Sequence, residues 1–225
     1  MIRRDYILRM IEEFLQALNR MRALKKDQRW KEAMESLDEA FNRLISGGAQ
    51  AVVGLTETEL MAQLIKGEPT QAIQTKTLML TTLLREAGDL AAAQNKIAES
   101  HLFYLKGLHV LLYVLAGGEI HDWPDFVPRI EFFVAAMKDS QLPLETQALL
   151  MQHYERTGEF AKAEDTLFAM LDQESEVARI VEFGIAFYER LLGQTDANLS
   201  SGALPRDEVE ASLAELRRRS DLRTS

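Results

Sequence analysis

The sequence predicts an all-α fold, and three observations support this prediction. The 225-residue chain contains only 12 Gly and 5 Pro, while Ala, Leu, Glu, Arg and Gln dominate, and these residues lose little on entering a helix. Apolar residues recur every three or four positions, as on the buried side of a helix. No stretch shows the two-residue alternation of a β-strand. With 47% hydrophobic residues, the chain can bury a substantial core.

The first two helices are predicted to form a hairpin. The apolar stripe of the first helix consists of Ile7, Ile11, Phe14, Leu18 and Met21. The second helix carries apolar residues from Trp30 to Leu44 and ends at the sequence Ser46-Gly47-Gly48. The second helix covers only part of the stripe of the first.

A short helix is predicted to follow this hairpin. Thr56 and Glu59 have the spacing of a capping box, in which each side chain satisfies a backbone amide of the first turn. Gly67 and Pro69 are expected to end the helix.

The middle of the chain is predicted to form a second hairpin. One helix is expected over residues 70–87 and a longer one over residues 90–116, with a turn at Gly88 and Asp89. Residues 119–124 then form a loop, because glycines end the longer helix and Pro124 closes the segment.

The last third of the chain predicts further helices. These cover residues 126–137, 143–157, 160–171 and 177–192. Residues 194–204 are polar and small, which is typical of a flexible connector, and Pro205 suits the first turn of a last helix. The predicted organisation is one helical domain over residues 1–193, followed by a connector and a short C-terminal helix over residues 194–225.

Three segments share a residue spacing. The third segment carries Leu150, Tyr154, Gly158, Phe160, Ala163 and Leu167. The second carries Leu80, Leu84, Gly88, Leu90, Ala93 and Ile97, and the first carries Leu24, Trp30, Ala33, Leu37 and Ala40. This spacing resembles the tetratricopeptide repeat, in which a turn glycine joins two helices and a small alanine lets them approach closely.

The resemblance implies antiparallel helical hairpins stacked into a compact right-handed array of about ten helices. The array is expected to be irregular, because the matching residues Leu24, Leu84 and Tyr154 lie 60 and 70 positions apart rather than about 34. The residues with a predicted structural role in the repeats are Trp30, Ala33, Leu84, Gly88, Ala93, Tyr154, Gly158 and Ala163.

The opening of the chain, residues 5–12, has the sequence Asp-Tyr-Ile-Leu-Arg-Met-Ile-Glu. It resembles the start of a family of uncharacterised bacterial proteins with tetratricopeptide-like helices. The resemblance implies a bacterial, cytoplasmic protein and supplies no activity.

Composition excludes several classes of function. The absence of Cys excludes disulfides, zinc ribbons and thiol catalysis. A net charge of −9 argues against nucleic-acid binding. Residues 1–31 hold nine Arg and Lys against four Asp and Glu, or +5, which leaves −14 for the rest of the chain. No export signal and no membrane span is expected.

No enzyme motif is found, so the sequence predicts neither catalytic activity nor a cofactor or metal. One alternative stays open, a metal-dependent hydrolase around His121, Asp122 and His153, because a His-Asp pair resembles the ligands of metal-dependent phosphohydrolases. A second alternative is a purely structural protein that assembles with itself. Asp122 is more simply interpreted as a cap of the following helix.

The sequence therefore favours a protein-binding adaptor that uses the concave face of stacked hairpins. Its candidate partner-binding residues are Arg22, Lys25, Lys26, Arg85, Glu86, Gln152, Glu155 and Arg156. A homodimer is predicted through the first helix, because its apolar stripe is wider than one neighbouring helix covers and its charge opposes that of the remaining chain. The interface residues expected for this dimer are Ile7, Ile11, Phe14 and Leu18.

Overall fold

A computed structural model describes residues 2–45, 47–66, 70–118, 120, 122–173 and 177–224 of the chain. These residues form twelve α-helices and no β-strand, which confirms the predicted all-α class. The chain divides into two compact units, Met1–Gln141 and Leu142–Ser225. The boundary between the units falls after Gln141, whereas the sequence predicted a single helical domain up to residue 193.

The first unit contains seven helices within its described residues. They are α1 (Ile2–Lys26), α2 (Trp30–Leu44), α3 (Gly48–Gly54), α4 (Glu57–Ile65), α5 (Thr70–Ala93), α6 (Ile97–Ala116) and α7 (Ile130–Ala136). Helix α5 is central, since it packs against α1, α2, α4 and α6. Its buried positions include Met79, Leu80, Leu83 and Leu84, so this helix supplies much of the hydrophobic core.

Threonines can be buried along α5 because each side-chain hydroxyl forms a hydrogen bond within the helix. Thr77, Thr81 and Thr82 are fully buried. Their hydroxyls donate to backbone carbonyls one turn earlier, at 2.7, 3.0 and 3.0 Å. This bonding removes the cost of burying an unpaired polar group.

The capping box predicted at Thr56 and Glu59 is present. The Glu59 amide donates to Thr56 Oγ1 at 3.2 Å, and the Thr56 amide donates to Glu59 Oε2 at 2.8 Å, which confirms the predicted capping box at the start of α4. The backbone hydrogen bond from Thr56 lowers the pKa of Glu59. The expected helix-ending residues Ser46, Gly67 and Pro69 lie outside the described residues.

Helix α3 was not predicted. Gly47 has a left-handed φ of 112°, and its amide donates to Asn42 Oδ1 at 3.0 Å. Asp38 Oδ1 accepts from the Ala49 amide at 2.8 Å. The glycines that end α2 therefore also begin a new helix, whose first amides are satisfied by side chains of the preceding one.

The predicted turn at Gly88 is wrong, because α5 continues through Gly88 to Ala93. The chain reverses at residues 94–96, where Asn95 has a φ of 59°. Glycine is required at position 88 for close packing: a Cβ there would lie 2.3 Å from Cε1 of Tyr104 on α6. The Tyr104 hydroxyl donates to Asp89 Oδ1 at 2.8 Å, so the ring is held against the glycine.

Two of the three repeat alanines lie at close helix contacts. Ala33 and Ala163 are fully buried. Ala93 is exposed, because it ends α5 instead of lying within the next helix. Its predicted packing role is therefore wrong.

The second unit contains five helices within its described residues. They are α8 (Leu144–Thr157), α9 (Phe160–Leu171), α10 (Val177–Leu192), α11 (Asp196–Ser201) and α12 (Arg206–Thr224). Helices α8 and α9 form the predicted hairpin, and Gly158 adopts a left-handed φ of 78° at the turn. Helix α10 packs against α9 and α12.

The segment predicted as a connector, residues 194–204, contains α11. The Thr195 hydroxyl caps this helix by accepting from the Asn198 amide at 3.2 Å, and Leu199 is fully buried. The Gly202 carbonyl accepts from the Ala161 amide at 3.0 Å. The Gly202 carbonyl of this segment thus satisfies an amide in the first turn of α9. This bond holds the segment against α9.

Replacing Gly88 with Ala tests the close packing of α5 and α6. A methyl group at this position must displace the Tyr104 ring and its bond to Asp89, and such overpacking costs about 1–3 kcal/mol. This cost exceeds the gain in helix propensity, which is about 1 kcal/mol. We expect urea unfolding to show a net loss of stability.

Gly54 in α3 provides the matched control, because a Cβ there meets no atom within 4 Å. Gly54→Ala is expected to leave the unfolding free energy unchanged or to raise it slightly. Equal stability of the Gly88→Ala variant and the natural protein would contradict the packing role of Gly88.

Candidate functional site

The first unit has a cavity of 430 Å³ where α1, α2 and α5 converge. Its lining residues are Tyr6, Arg9, Met10, Glu13, Phe14 and Ala17 of α1, Ala40, Arg43 and Leu44 of α2, and Lys76 and Met79 of α5. This volume lies within the range of known ligand and anchor pockets, about 300–1,000 Å³.

Burial separates the cavity into a floor and a rim. The floor consists of Phe14, Ala40, Lys76 and Met79, whose exposed fractions are 7, 6, 8 and 0%. It is therefore apolar apart from one lysine.

The rim is exposed and mostly charged. Arg9 Nε lies 3.0 Å from Glu13 Oε1, and Tyr6 is 50% exposed. Arg43 stands on the opposite helix and is also exposed. No carboxylate among the described residues pairs with Arg43, so its guanidinium faces solvent.

A second cavity of 430 Å³ lies between α1 and α2. Its lining residues are Glu13, Gln16, Ala17, Arg20, Ser36, Glu39 and Arg43. Glu13, Ala17 and Arg43 line both cavities. The two spaces are therefore neighbours along one depression, which we call the α1–α2 groove.

Four of the predicted partner-binding residues meet in an internal ion cluster. Glu86 of α5 accepts from Arg22 Nε at 2.7 Å and from Lys25 Nζ at 2.6 Å. Lys25 Nζ also donates to Asp89 Oδ2 at 3.2 Å. The Glu86 side chain is only 2% exposed, so this cluster fastens α1 to α5 and offers little surface to a partner.

The remaining member of this group, Arg85, contacts the same cluster. Its Nε lies 3.7 Å from Asp89 Oδ2, and its guanidinium carbon lies 4.7 Å from the centre of the Phe132 ring, a cation–π contact. Lys26 is exposed at the end of α1. Of these five residues, only Lys26 is therefore exposed.

The predicted residues of the second unit belong to the α8 surface. Glu155 accepts two hydrogen bonds from Arg190 of α10, at 2.7 and 2.8 Å. Gln152 and Arg156 are exposed. Glu155 is therefore engaged in an ion pair between α8 and α10.

Two buried glutamates have opposite electrostatic surroundings. Burial acts to raise the pKa of Glu86, but the hydrogen bonds and charges of Lys25 and Arg22 outweigh it and hold the pKa below its usual range. In the second unit, burial raises the pKa of Glu164. Its neighbours Tyr188 and Ser212 donate hydrogen bonds to Oε1 at 2.6 and 3.1 Å but carry no positive charge.

The described residues of the alternative metal site belong to different units, Asp122 to the first and His153 to the second. His121 lies outside the described residues. Asp122 is exposed in the loop before α7 and does not cap that helix, whose N-cap residue is Arg129. His153 packs on the Tyr154 ring, with 5.9 Å between centroids. Among the described residues, no three His, Asp or Glu side chains are grouped to hold a metal ion.

The apolar stripe of α1 is divided between the core and the surface. Phe14 and Leu18 are 7 and 1% exposed, because they pack in the core of their own chain. Leu18 offers no surface to a second copy, whereas Phe14 is accessible from the cavity that it lines. Ile7 and Ile11 are half-buried.

Comparison with known proteins gives one family. A model of a family of unknown function matches residues 1–221, which confirms the predicted relationship to an uncharacterised family. No curated protein matches the chain, and no solved structure does. Within the described part of the chain, no helix has the length and apolar character needed to cross a membrane.

Replacing each buried glutamate with glutamine tests whether the charge of Glu86 stabilises the fold and that of Glu164 destabilises it. At pH 7, Glu86→Gln removes the charge that Arg22 and Lys25 bind and is expected to lower the unfolding free energy by about 1–3 kcal/mol. Glu164→Gln keeps an acceptor for Tyr188 and Ser212 but removes a charge that is costly to bury, so it is expected to raise the unfolding free energy.

The pH dependence provides the measurement. The contribution of Glu86 is present above the usual glutamate pKa of about 4.3 and is lost as pH falls through its lower folded-state pKa. Ionised Glu164 destabilises the fold, so the gain from Glu164→Gln declines as pH falls through its raised pKa. Urea unfolding between about pH 3 and 8 distinguishes the two variants. The same sign for both variants would contradict the assignment.

Proposed function

Since this chain belongs to DUF6483, a family of unknown function, we propose its function from its own geometry: it is a protein-binding adaptor that holds a partner segment in the α1–α2 groove. The observation that carries this proposal is the 430 Å³ cavity with a buried apolar floor and an exposed charged rim. An apolar pocket surrounded by charge is the usual arrangement around an anchor side chain of a partner protein.

The groove is separate from the internal ion cluster that joins α1 to α5. Glu86 and its cations join α1 to α5 beyond the groove, at Arg22 and Lys25. The lining residues Tyr6, Arg9 and Arg43 are exposed. A partner therefore reaches the groove without breaking the internal ion cluster.

The proposal extends to the setting and the repeat type. We propose a bacterial cytoplasmic protein whose hairpins are of the tetratricopeptide kind. Support comes from the α8–α9 hairpin, where Gly158 turns the chain and where Tyr154 and Ala163 are buried. The α5–α6 hairpin departs from the pattern, because Gly88 lies inside a helix.

Site-specific photo-crosslinking in living cells tests the adaptor function. A benzophenone amino acid in place of Tyr6, which lines the cavity, is expected to form a covalent adduct with a discrete protein. Tyr113 of α6 is the matched control, since it is 49% exposed against 50% for Tyr6 and lies outside the groove.

A second variant links the adduct to the groove itself. Ala17 lines both cavities, so Ala17→Phe is expected to fill the groove and abolish the adduct at position 6. Ala23→Phe changes an exposed alanine of the same helix and is expected to leave it intact. Equal adducts from positions 6 and 113, or none from either, would count against the adaptor function.

A further inference from the structure

The α1–α2 groove has walls that match a helix. Five of the α1 residues that line it form one stripe, namely Tyr6, Met10, Glu13, Ala17 and Arg20. They are spaced alternately by four and three positions, as in helices that pack side by side. The opposite wall repeats this spacing on α2, at Ser36, Ala40 and Arg43. Two such stripes leave a groove suited to a third helix.

The length of the groove sets the length of its occupant. Tyr6 and Arg20 are fourteen residues apart on α1, which corresponds to about 21 Å at a rise of 1.5 Å per residue. A helix of about four turns fills this distance.

The two ends of the groove differ in polarity. The end near Met10 has a buried floor of apolar side chains, among them Phe14 and Met79. The end near Arg20 is lined by Gln16 and Glu39 instead. The occupant therefore needs a large apolar anchor at one end and polar side chains towards the other.

The charged residues of the groove determine which charge the polar side chains of the bound helix carry. Apart from Lys76, which is buried and has a partner of its own, the groove contains the cations Arg9, Arg20 and Arg43 against the carboxylates Glu13 and Glu39. Glu13 is paired with Arg9, whereas no described carboxylate pairs with Arg20 or Arg43. A local excess of positive charge in a chain of net charge −9 attracts an acidic segment and disfavours a basic one.

We infer that the groove binds an acidic amphipathic helix of a partner protein, with an apolar anchor in the cavity near Phe14 and with carboxylates facing Arg20 and Arg43. This inference rests on the adaptor function and specifies the chemistry of the partner. The two guanidiniums stand on different helices, so one acidic helix bridges both walls of the groove.

Binding of a synthetic probe tests the inference. The probe is an end-blocked helical peptide of about fourteen residues, with Leu along one face and Glu on its flanks. Fluorescence anisotropy with the full chain is expected to show saturable binding. Two further peptides, one with Lys in place of Glu and one with Ser in place of Leu, are expected to bind at least about tenfold more weakly.

Protein variants connect the charge preference to the groove. Arg43→Glu is expected to weaken probe binding by about tenfold. Lys31→Glu is the control, because it makes the same charge change on α2 at an exposed residue outside the groove. Raising salt from about 0.1 M to about 1 M is expected to weaken binding, since the screening length falls from about 10 Å to about 3 Å.

Several outcomes would overturn the inference. These are equal binding of the Lys peptide, equal effects of Arg43→Glu and Lys31→Glu, or a dimer in sedimentation that Arg43→Glu dissociates, which would identify the occupant as a second copy. An adduct at position 6 without binding of the acidic probe would retain the adaptor function and reject the acidic helix. Absence of both would reject the two proposals together.

Discussion

The close packing of α5 against α6 is the constraint on which the first unit depends. Glycine occurs where an aromatic ring lies on the backbone: Tyr104 covers Gly88, and Phe133 lies so near Gly107 that a Cβ there would be 2.6 Å from the ring. The Tyr104 ring on Gly88 allows α5 and α6 to pack closely, and the Phe133 ring on Gly107 does the same for α7 and α6. Because α5 is then surrounded by neighbours, its polar residues must be satisfied within the protein, and this requirement determines where α1 packs.

The buried carboxylate of Glu86 determines where α1 packs. A buried carboxylate is tolerated only with compensating partners, and Arg22 and Lys25 supply them from the C-terminal half of α1. Leu18 and Met21 then enter the core beside these cations. The N-terminal half of the helix is held less completely, since Tyr6 and Leu8 are both 50% exposed. One helix therefore combines an anchored half with a half that borders an open groove.

Sequence alone predicted the parts of this structure that depend on neighbouring residues. The capping box at Thr56 and the turn at Gly158 were found because each signal lies within one turn of helix. Gly88 was misread, because the same residue type serves a chain reversal and a close approach, and only the position of the Tyr104 ring distinguishes them. The buried state of Glu86 was likewise invisible, since its partners lie more than 60 positions away.

The groove could not be predicted from the sequence for a related reason. Its floor combines Phe14, Ala40 and Met79 from three helices, and no local pattern marks these residues as neighbours. What the sequence did contain was the excess of positive charge over residues 1–31. The structure divides that excess: Arg22 and Lys25 neutralise the interior of the first unit, whereas Arg20 lines the groove.

This division has a consequence for how the groove behaves with pH. The pKa of Glu86 is held low by two cations, so the attachment of α1 to α5 is unaffected by protonation over the range in which most carboxylates of a partner are ionised. The groove thus keeps its walls in place while an acidic helix loses its charge on acidification. Affinity for the proposed acidic helix is expected to fall as pH falls, because its carboxylates become protonated at a higher pH than Glu86 does.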